Sequence, residues 1–220
     1  MILTNDALGL LETTGYTPAM VALDVMAKAA PLEALQAEIN DFLGICIKVG
    51  GSVAAVETAL QSGYDIAEKM GGQPVTNLIR RVEEESWQAI DSPPEFNPLI
   101  QQDVVHFPHS STSTQASNNK EEPVAEHHAH ALGFIETQGF TAVFEAIDQA
   151  CKTASVEVVG KEKLGGGYVT VIIQGDVAAV TAAIDTGQQS VAKLGNLIAA
   201  HVIARPSTAV LDLLPVVAKS

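Results

Sequence analysis

The chain contains an internal repeat, which constrains its fold more than any other feature of the sequence. The segment Ala7–Thr13 (ALGLLET) recurs as Ala131–Thr137 (ALGFIET), 124 residues further along the chain. At this fixed offset, residues 7–81 align with residues 131–205 without a gap. Chance does not hold one register over such a length, so the sequence predicts two copies of one fold.

The segment between the two copies, residues 82–130, has a different composition. It carries nine acidic residues and one basic residue, a net −8 of the formal −14 of the chain, and is rich in proline, serine and threonine. Such a segment buries too little apolar surface to fold alone, so we expect an exposed, mostly disordered, flexible acidic linker. Trp87, Phe96 and Phe107 are the residues that could pin parts of it onto a domain. The predicted division is a first domain (1–81), the linker (82–130), a second domain (131–206) and a C-terminal short helix and tail (207–220).

Charge and composition exclude several classes of partner. The formal charge of −14 would be repelled by nucleic acid and by an anionic membrane surface. No run of about 18 apolar residues is present to span a bilayer, and the first residues do not resemble a secretory signal. We expect Cys46 and Cys151 to be small buried hydrophobes in a reducing cytoplasm, although the sequence alone leaves a disulfide open.

Each copy has the same predicted order of elements: strand, helix, two strands, helix, strand. Thr17 followed by proline predicts the start of the first helix, and Ser52 and Asp176 are good N-caps for the second helix of each copy. Val156–Lys163 and Tyr168–Ile173 are rich in β-branched residues and predict a hairpin. Ser207 is placed to cap a short terminal helix. The order β-α-β-β-α-β predicts an α/β (α+β) protein of two tandem ferredoxin-like domains.

Four strings of the second copy are long and ordered: Ala131–Thr137, Val158–Gly167, Val169–Val180 and His201–Pro206. They closely resemble the bacterial microcompartment (BMC) shell domain, over 131–206 and, less exactly, over 7–81. The resemblance implies a structural shell component of the unpermuted tandem type, in which three chains form a pseudohexameric homotrimer with a central pore for metabolites. It implies other shell proteins as partners and a place in the shell of a carboxysome or metabolosome in the cytoplasm. We expect no catalytic residue, cofactor or metal.

The resemblance also assigns residues to sites. Lys28 and Lys152 match the edge lysine of the family, which packs against its counterpart in a neighbouring tile. Arg81 and Arg205 match the edge arginine that reaches across the same junction. Gly165–Gly167 matches the pore loop. From the residues alone, the lysines fit solvated helix ends equally well, the arginines fit strand-end surface charges, and the three glycines fit a simple tight turn.

The first copy departs from the family pattern at the pore loop. Asp41, Phe42 and Leu43 stand at the positions that match the three glycines. We therefore expect glycine loops, whose exposed amides favour anions, to alternate around the pore with loops that carry a carboxylate and a phenyl ring. Three Phe42 rings would nearly close a small opening; the alternative is that Phe42 turns back into the core of its own domain.

Other features of the sequence have weaker interpretations. His127, His128 and His130 suggest a metal site, but a solvated end of the linker explains them as well. Neither cysteine falls in a pore loop, which argues against an iron–sulfur cluster. Two other classes of protein remain: a ferredoxin-like small-ligand-binding sensor oligomer, and an enzyme, which would need a polar cluster in a cleft. Assembly separates the first of these from a shell tile, because a sensor stays a discrete oligomer.

Overall fold

The computed structural model describes residues 7–40, 42–109, 130–192 and 194–215. The first domain consists of β1 (Ala7–Thr14), α1 (Tyr16–Ala29), β2 (Glu33–Asn40), β3 (Gly44–Gly51), α2 (Val53–Lys69) and β4 (Val75–Ile79). Its strands lie in the order β4-β1-β3-β2, every neighbour being antiparallel. The two helices pack against each other. This arrangement is the predicted ferredoxin-like fold.

The chain then continues as a strap, the name used here for residues 82–109. The strap contains a 3-10 turn (Glu84–Ser86), α3 (Trp87–Ile90), β5 (Phe96–Asn97), β6 (Gln102–Asp103) and β7 (Val105–His106). β7 adds a fifth strand to the first sheet, because it pairs antiparallel with the outer edge of β2. The strap therefore belongs to the folded structure.

The expectation of an exposed, mostly disordered linker is wrong for the strap. An open strand edge offers unpaired amides and carbonyls, and β7 satisfies those of β2. Val104 and Val105 are only 6% and 4% exposed and join the hydrophobic core. Of the three aromatic residues expected to pin the segment, Phe107 packs against that core, Trp87 is half-buried and Phe96 is exposed. The rest of the predicted linker, 110–129, lies outside the described residues.

A buried lysine fastens the beginning of the strap to the first sheet. Lys48 Nζ lies 2.7 Å from Glu38 Oε2 and also donates to the Ile90 carbonyl of α3. Ser92 Oγ donates to the same Glu38 carboxylate at 2.8 Å. Although burial raises the pKa of Glu38, the hydrogen bonds from Lys48 and Ser92 outweigh it and lower that pKa. A buried ammonium must be paired, and Glu38 of β2 pairs it within the sheet. The strap adds the Ile90 carbonyl as a further acceptor and so is held against the sheet.

The second domain repeats the first. It consists of β8 (Ala131–Gln138), α4 (Phe140–Thr153), β9 (Glu157–Gly165), β10 (Tyr168–Gly175), α5 (Val177–Val191) and β11 (Asn196–Ile203), followed by a short helix α6 (Thr208–Asp212). Its strands lie in the order β11-β8-β10-β9, so both predicted ferredoxin-like domains are confirmed. None of the helices within the described ranges is long and apolar enough to cross a lipid bilayer.

The helix caps agree with the sequence predictions only in part. Ser52 caps α2 as predicted, because its Oγ accepts a hydrogen bond from the Ala55 amide at 3.3 Å. Asp176 and Ser207 occupy the N-cap positions of α5 and α6, but their side chains make no capping hydrogen bond. Thr17 lies inside α1, whose N-cap is Gly15. Glycine has no side chain with which to bind the free amides of the first turn, so α1 depends on another part of the chain for an acceptor.

Candidate domain interface, edges and pore loops

One face of α1 forms the seam between the two domains. Tyr16, Met20 and Asp24 are spaced four residues apart and therefore lie on one stripe of the helix. Tyr16 and Met20 are fully buried, and Asp24 is nearly so. α1 lies against β8, β11 and α6 of the second domain, and one hydrophobic core runs through the seam to include Phe134 and Val210. The two domains are therefore packed as one unit.

A carboxylate of the second domain caps α1. Glu136 Oε1 accepts a hydrogen bond from the Tyr16 amide at 2.8 Å, and Oε2 accepts one from the Thr17 amide at 2.9 Å. Burial raises the pKa of Glu136, and these two amide hydrogen bonds oppose that rise. The bonds satisfy two free donors and place an acidic group at the positive end of the helix dipole.

Asp24 makes a second polar contact across the seam. Its Oδ1 accepts a hydrogen bond from the amide of Ser207, at the start of α6, at 2.8 Å. Its Oδ2 lies 2.5 Å from Lys28 Nζ. Asp24 therefore holds the C-terminal segment of the second domain and one of the predicted edge lysines at once.

The equivalent seam on the second domain is open. Phe140 and Phe144, which correspond to Tyr16 and Met20, are 45% and 49% exposed. Asp148, the counterpart of Asp24, is exposed, and so is Glu12, the counterpart of Glu136. Sequence reasoning did not single out these residues. The available signal was the identity of Glu12 with Glu136 and of Asp24 with Asp148 across the repeat.

The four predicted edge residues lie at exposed ends of equivalent elements. Lys28 and Lys152 stand in the last turns of α1 and α4, each paired with an aspartate one turn earlier. The hydrogen bond with Asp148 raises the pKa of Lys152. Arg81 and Arg205 are exposed just after β4 and β11.

The predicted pore loops connect the second and third strands of each domain in chain order, β2 to β3 and β9 to β10. Gly165, Gly166 and Gly167 have φ values of 81°, 52° and 85°, a region that suits glycine. In the first domain Phe42 is 88% exposed, so the alternative that it packs into the core of its domain is wrong. Asp41 lies outside the described residues.

The two loops meet within one chain. The Leu43 side chain packs over Gly166 so closely that a Cβ atom built on Gly166 would lie 2.3 Å from Leu43 Cδ2. Each loop is tied to its own domain in the same way, since the amides of Gly15 and Gly139 donate to the carbonyls of Leu43 and Gly167, both at 2.8 Å. The structure thus brings Leu43 of one predicted loop against Gly166 of the other.

The strap also docks on the edge strand of the second domain. The Gln102 side chain bonds the backbone of Lys163 twice, accepting from its amide at 3.1 Å and donating to its carbonyl at 2.8 Å. Lys163 Nζ donates to the Ile100 carbonyl. Because β7 pairs with β2 while Gln102 binds β9, the strap joins both sheets.

A buried carboxyl group and an imidazole face each other at this junction. Burial raises the pKa of Glu162 to about 8 and lowers the pKa of His106. His106 Nε2 lies 3.3 Å from Glu162 Oε2, in a geometry short of a regular hydrogen bond. Both groups are therefore mainly neutral near pH 7, and the contact is not a charged ion pair.

Both cysteines are free. The expectation that both are buried is wrong for Cys151, which lies on an exposed part of α4. Cys46 is partly buried on β3, and burial raises its pKa to about 11. Within the described ranges no cluster of three or more histidine, cysteine, aspartate or glutamate residues could hold a metal ion. His127 and His128 lie outside those ranges.

The protein is a tandem repeat of two ferredoxin-like domains that pack against each other at one closed seam. The equivalent seam is open and exposes an apolar surface that suits assembly. A family model of the BMC domain matches residues 7–80 and 131–206. The chain therefore belongs to the BMC domain family and contains the domain twice, which confirms the resemblance found in the sequence.

Two of the matching relatives are microcompartment shell proteins. Bacterial microcompartment shell protein PduA of Citrobacter freundii is 52% identical over 85 residues, 39% of this chain and 91% of the relative. Carboxysome shell protein CsoS1C of Halothiobacillus neapolitanus is 45% identical over 86 residues, 39% of this chain and 88% of the relative. Each alignment is about as long as one of the two domains.

One solved structure matches along most of the chain. It is a microcompartments protein from Desulfitobacterium hafniense DCB, with 25% identity and a TM-score of 0.35, covering 92% of this chain and 96% of that chain. Membership of the BMC domain family rests on the two domain matches.

The buried Glu162 predicts a pH-dependent stability. Because its folded pKa of about 8 lies above the usual value, the folded state holds the proton between pH 4.5 and 8, where the unfolded chain loses it. This contribution is complete below the unfolded pKa and is lost as the pH rises through 8. We expect Glu162→Gln to flatten the decline in unfolding free energy between pH 5 and 8.5, measured by urea denaturation.

The matched control is Glu57→Gln, which changes an exposed carboxylate on α2. It should leave the pH profile as in the unmodified chain. The lowered pKa of His106 affects stability on the acidic side of the pH range. The stability contributed by its neutral imidazole is lost as the pH falls below the pKa of histidine in the unfolded chain, about 6.5. Equal slopes for the unmodified chain and Glu162→Gln would contradict the assignment.

Proposed function

We propose that the protein is a structural, noncatalytic shell component of a bacterial microcompartment, in which three chains close into a pseudohexameric tile. The shell role is supported by two BMC domains and by relatives that are shell proteins of a carboxysome and of another microcompartment. Other shell proteins are its partners at the tile edges, and small metabolites cross its central pore. A sensor of small ligands finds no support among these relatives.

The trimer is supported by the difference between the two seams, one of which is closed within the chain while the other is open. Within the chain, the α1 stripe is buried against the second domain. The corresponding α4 stripe, with Phe140 and Phe144, is exposed, and so is the corresponding receptor position Glu12 on β1. The two open surfaces complement each other but not themselves. A head-to-tail contact of this kind repeats until a ring closes, and six equivalent domains need three chains.

We expect the chain to have the mass of a trimer in solution. Phe144→Asp should leave mainly single folded chains, because a charge buried without a partner in each seam costs several kcal/mol. Light scattering after size exclusion measures the mass, and circular dichroism checks the fold. Phe96→Asp, at an exposed position in the strap, is the control and should remain trimeric. A monomeric unmodified chain at all concentrations would refute the tile.

The pore of the tile is formed by six loops of two kinds. The contact of Leu43 with Gly166 shows how one loop of each kind meets within a chain. Threefold repetition would place three exposed Phe42 rings among three glycine loops. In this arrangement the rings narrow the opening and the glycine amides line it.

Phe42→Gly should therefore widen the pore and raise the flux of a small metabolite through intact shells. The measurement is the rate of substrate entry into purified shells that enclose a reporter enzyme. Phe96→Gly, which removes another exposed ring away from the loops, should leave the flux unchanged. Equal flux for all three shells would show that Phe42 does not restrict the pore.

The tile edges are formed by Lys28, Lys152, Arg81 and Arg205. Their exposure at the ends of equivalent elements fits contacts between neighbouring tiles. The aspartate beside each lysine fixes the direction of its side chain. Edge contacts repeated around a tile act multivalently, so weak junctions suffice for a sheet.

The double substitution Lys152→Asp and Arg205→Asp should abolish incorporation into shells while the tile stays trimeric. The substitutions remove the two long side chains that reach across the junction and place a second carboxylate next to Asp148, and this loss is repeated around the tile. Incorporation is measured by the amount of protein that sediments with purified shells. Lys69→Asp, at the exposed end of α2, is the matched control. Normal incorporation of the double variant would exclude these edge roles.

A further inference from the structure

We infer that Glu12 of one chain caps the N-terminus of α4 in the neighbouring chain. The inference rests on the proposed trimer and names the polar contact that sets its seam. Glu12 and α4 both lie on the open seam, on opposite domains of the chain. In a ring, the second domain of one chain meets the first domain of the next, which brings these two elements together.

The closed seam shows the geometry of such a contact. There Glu136 on β8 receives the first two amides of α1, at 2.8 and 2.9 Å. Glu12 stands at the same position of β1 as Glu136 does on β8, five residues after the start of each strand. β1 lies between β4 and β3, as β8 lies between β11 and β10. The two carboxylates therefore project from equivalent places on equivalent sheets.

The recipient helix is also equivalent. α4 begins after Gly139, with φ 111° and ψ 135°, as α1 begins after Gly15, with φ 88° and ψ 143°. Both caps are glycines without a side chain, so the amides of Phe140 and Thr141 need an acceptor from elsewhere. No acceptor among the described residues reaches these two amides. The first turn of α4 is thus preformed for a carboxylate that its own chain does not supply.

Glu12 is held in place for this role. The Asn40 side chain donates from Nδ2 to Glu12 Oε1, and its Oδ1 accepts from the amides of Phe42 and Gly44, both at 3.0 Å. The second copy has Leu164 in place of Asn40. Asn40 thus positions Glu12 through a hydrogen bond that Glu136 lacks. The same Asn40 side chain also binds the loop that carries Phe42.

Capping explains why an acidic residue stands in a seam that is otherwise apolar. Phe140 and Phe144 would surround Glu12, and an unpaired carboxylate buried between them would be costly. Two amide donors and the positive end of the helix dipole offset that cost only when the neighbour is in register. A neighbouring chain displaced along the seam would carry these donors away from Glu12 and leave the carboxylate unpaired. Glu12 therefore selects one register of the ring.

The test compares the trimer stability of the unmodified chain, Glu12→Ala and Glu12→Gln. Glu12→Ala should raise the concentration at which half of the chains are monomeric at least about tenfold, since it leaves buried donors unpaired in every seam. Glu12→Gln keeps one acceptor oxygen and should fall between the two. Analytical ultracentrifugation measures the dissociation, and circular dichroism checks that each monomer is folded.

A second readout separates capping from general packing. At concentrations where both proteins are trimeric, hydrogen exchange at the amides of Phe140 and Thr141 should be slow in the unmodified chain and at least about tenfold faster in Glu12→Ala. The control is Glu57→Ala. Its counterpart in the second domain, Thr181, is exposed and lies outside the closed seam, so Glu57 should lie outside the open seam as well.

The outcomes distinguish the two proposals. A trimeric unmodified chain with unchanged dissociation and exchange in Glu12→Ala would overturn the cap and leave the tile intact. An unmodified chain that stays monomeric would overturn the tile and the cap together. Faster dissociation with faster exchange at Phe140 and Thr141, absent in Glu57→Ala, supports the cap.

Discussion

The packing of α1 against the second domain depends on one carboxylate, Glu136, which binds the two free amides at the start of that helix. A glycine N-cap gives α1 no local acceptor, so the first turn is satisfied only when the second domain is in place. The hydrogen bonds to Glu136 fix the rotation of α1. In that rotation, the face with Tyr16 and Met20 packs in one core with Phe134 and Val210. The hydrogen bonds of Glu136 and the burial of the apolar stripe therefore favour the same arrangement of the two domains.

Much of the fold followed from the sequence, and the exceptions share a cause. The gapless repeat and the hairpin between Val156 and Ile173 sufficed for two ferredoxin-like domains. The cap on α1 was missed because its donor and acceptor stand 120 residues apart, beyond the reach of local capping rules. The strap was missed because two adjacent valines, Val104 and Val105, are a weak signal in an acidic, proline-rich segment. In both cases contacts between residues far apart in the sequence determine the local structure, and local composition does not reveal such contacts.

The candidate sites were predictable to different degrees. The assignments of Gly165–Gly167 and of the edge lysines followed from the resemblance. The structure puts the glycines in a loop and the lysines at helix ends, and their roles at a pore and at tile edges stay predictions. The direction of Phe42 did not follow, since a hairpin loop can turn a side chain either way. Nor did the seam residues, because identity between Glu12 and Glu136 does not reveal whether a residue serves its own domain or the next.

Duplication gives this chain a freedom that six identical domains lack. In a ring of identical subunits, each substitution appears six times, so a phenylalanine in every loop would crowd the axis. Two linked copies alternate, and one loop can keep three glycines while the other carries Phe42. Alternation survives only if a first domain always meets a second domain. The strap and α6 fix that order within the chain. In the proposed trimer, the complementary open surfaces, with Glu12 on one and α4 on the other, extend it from chain to chain.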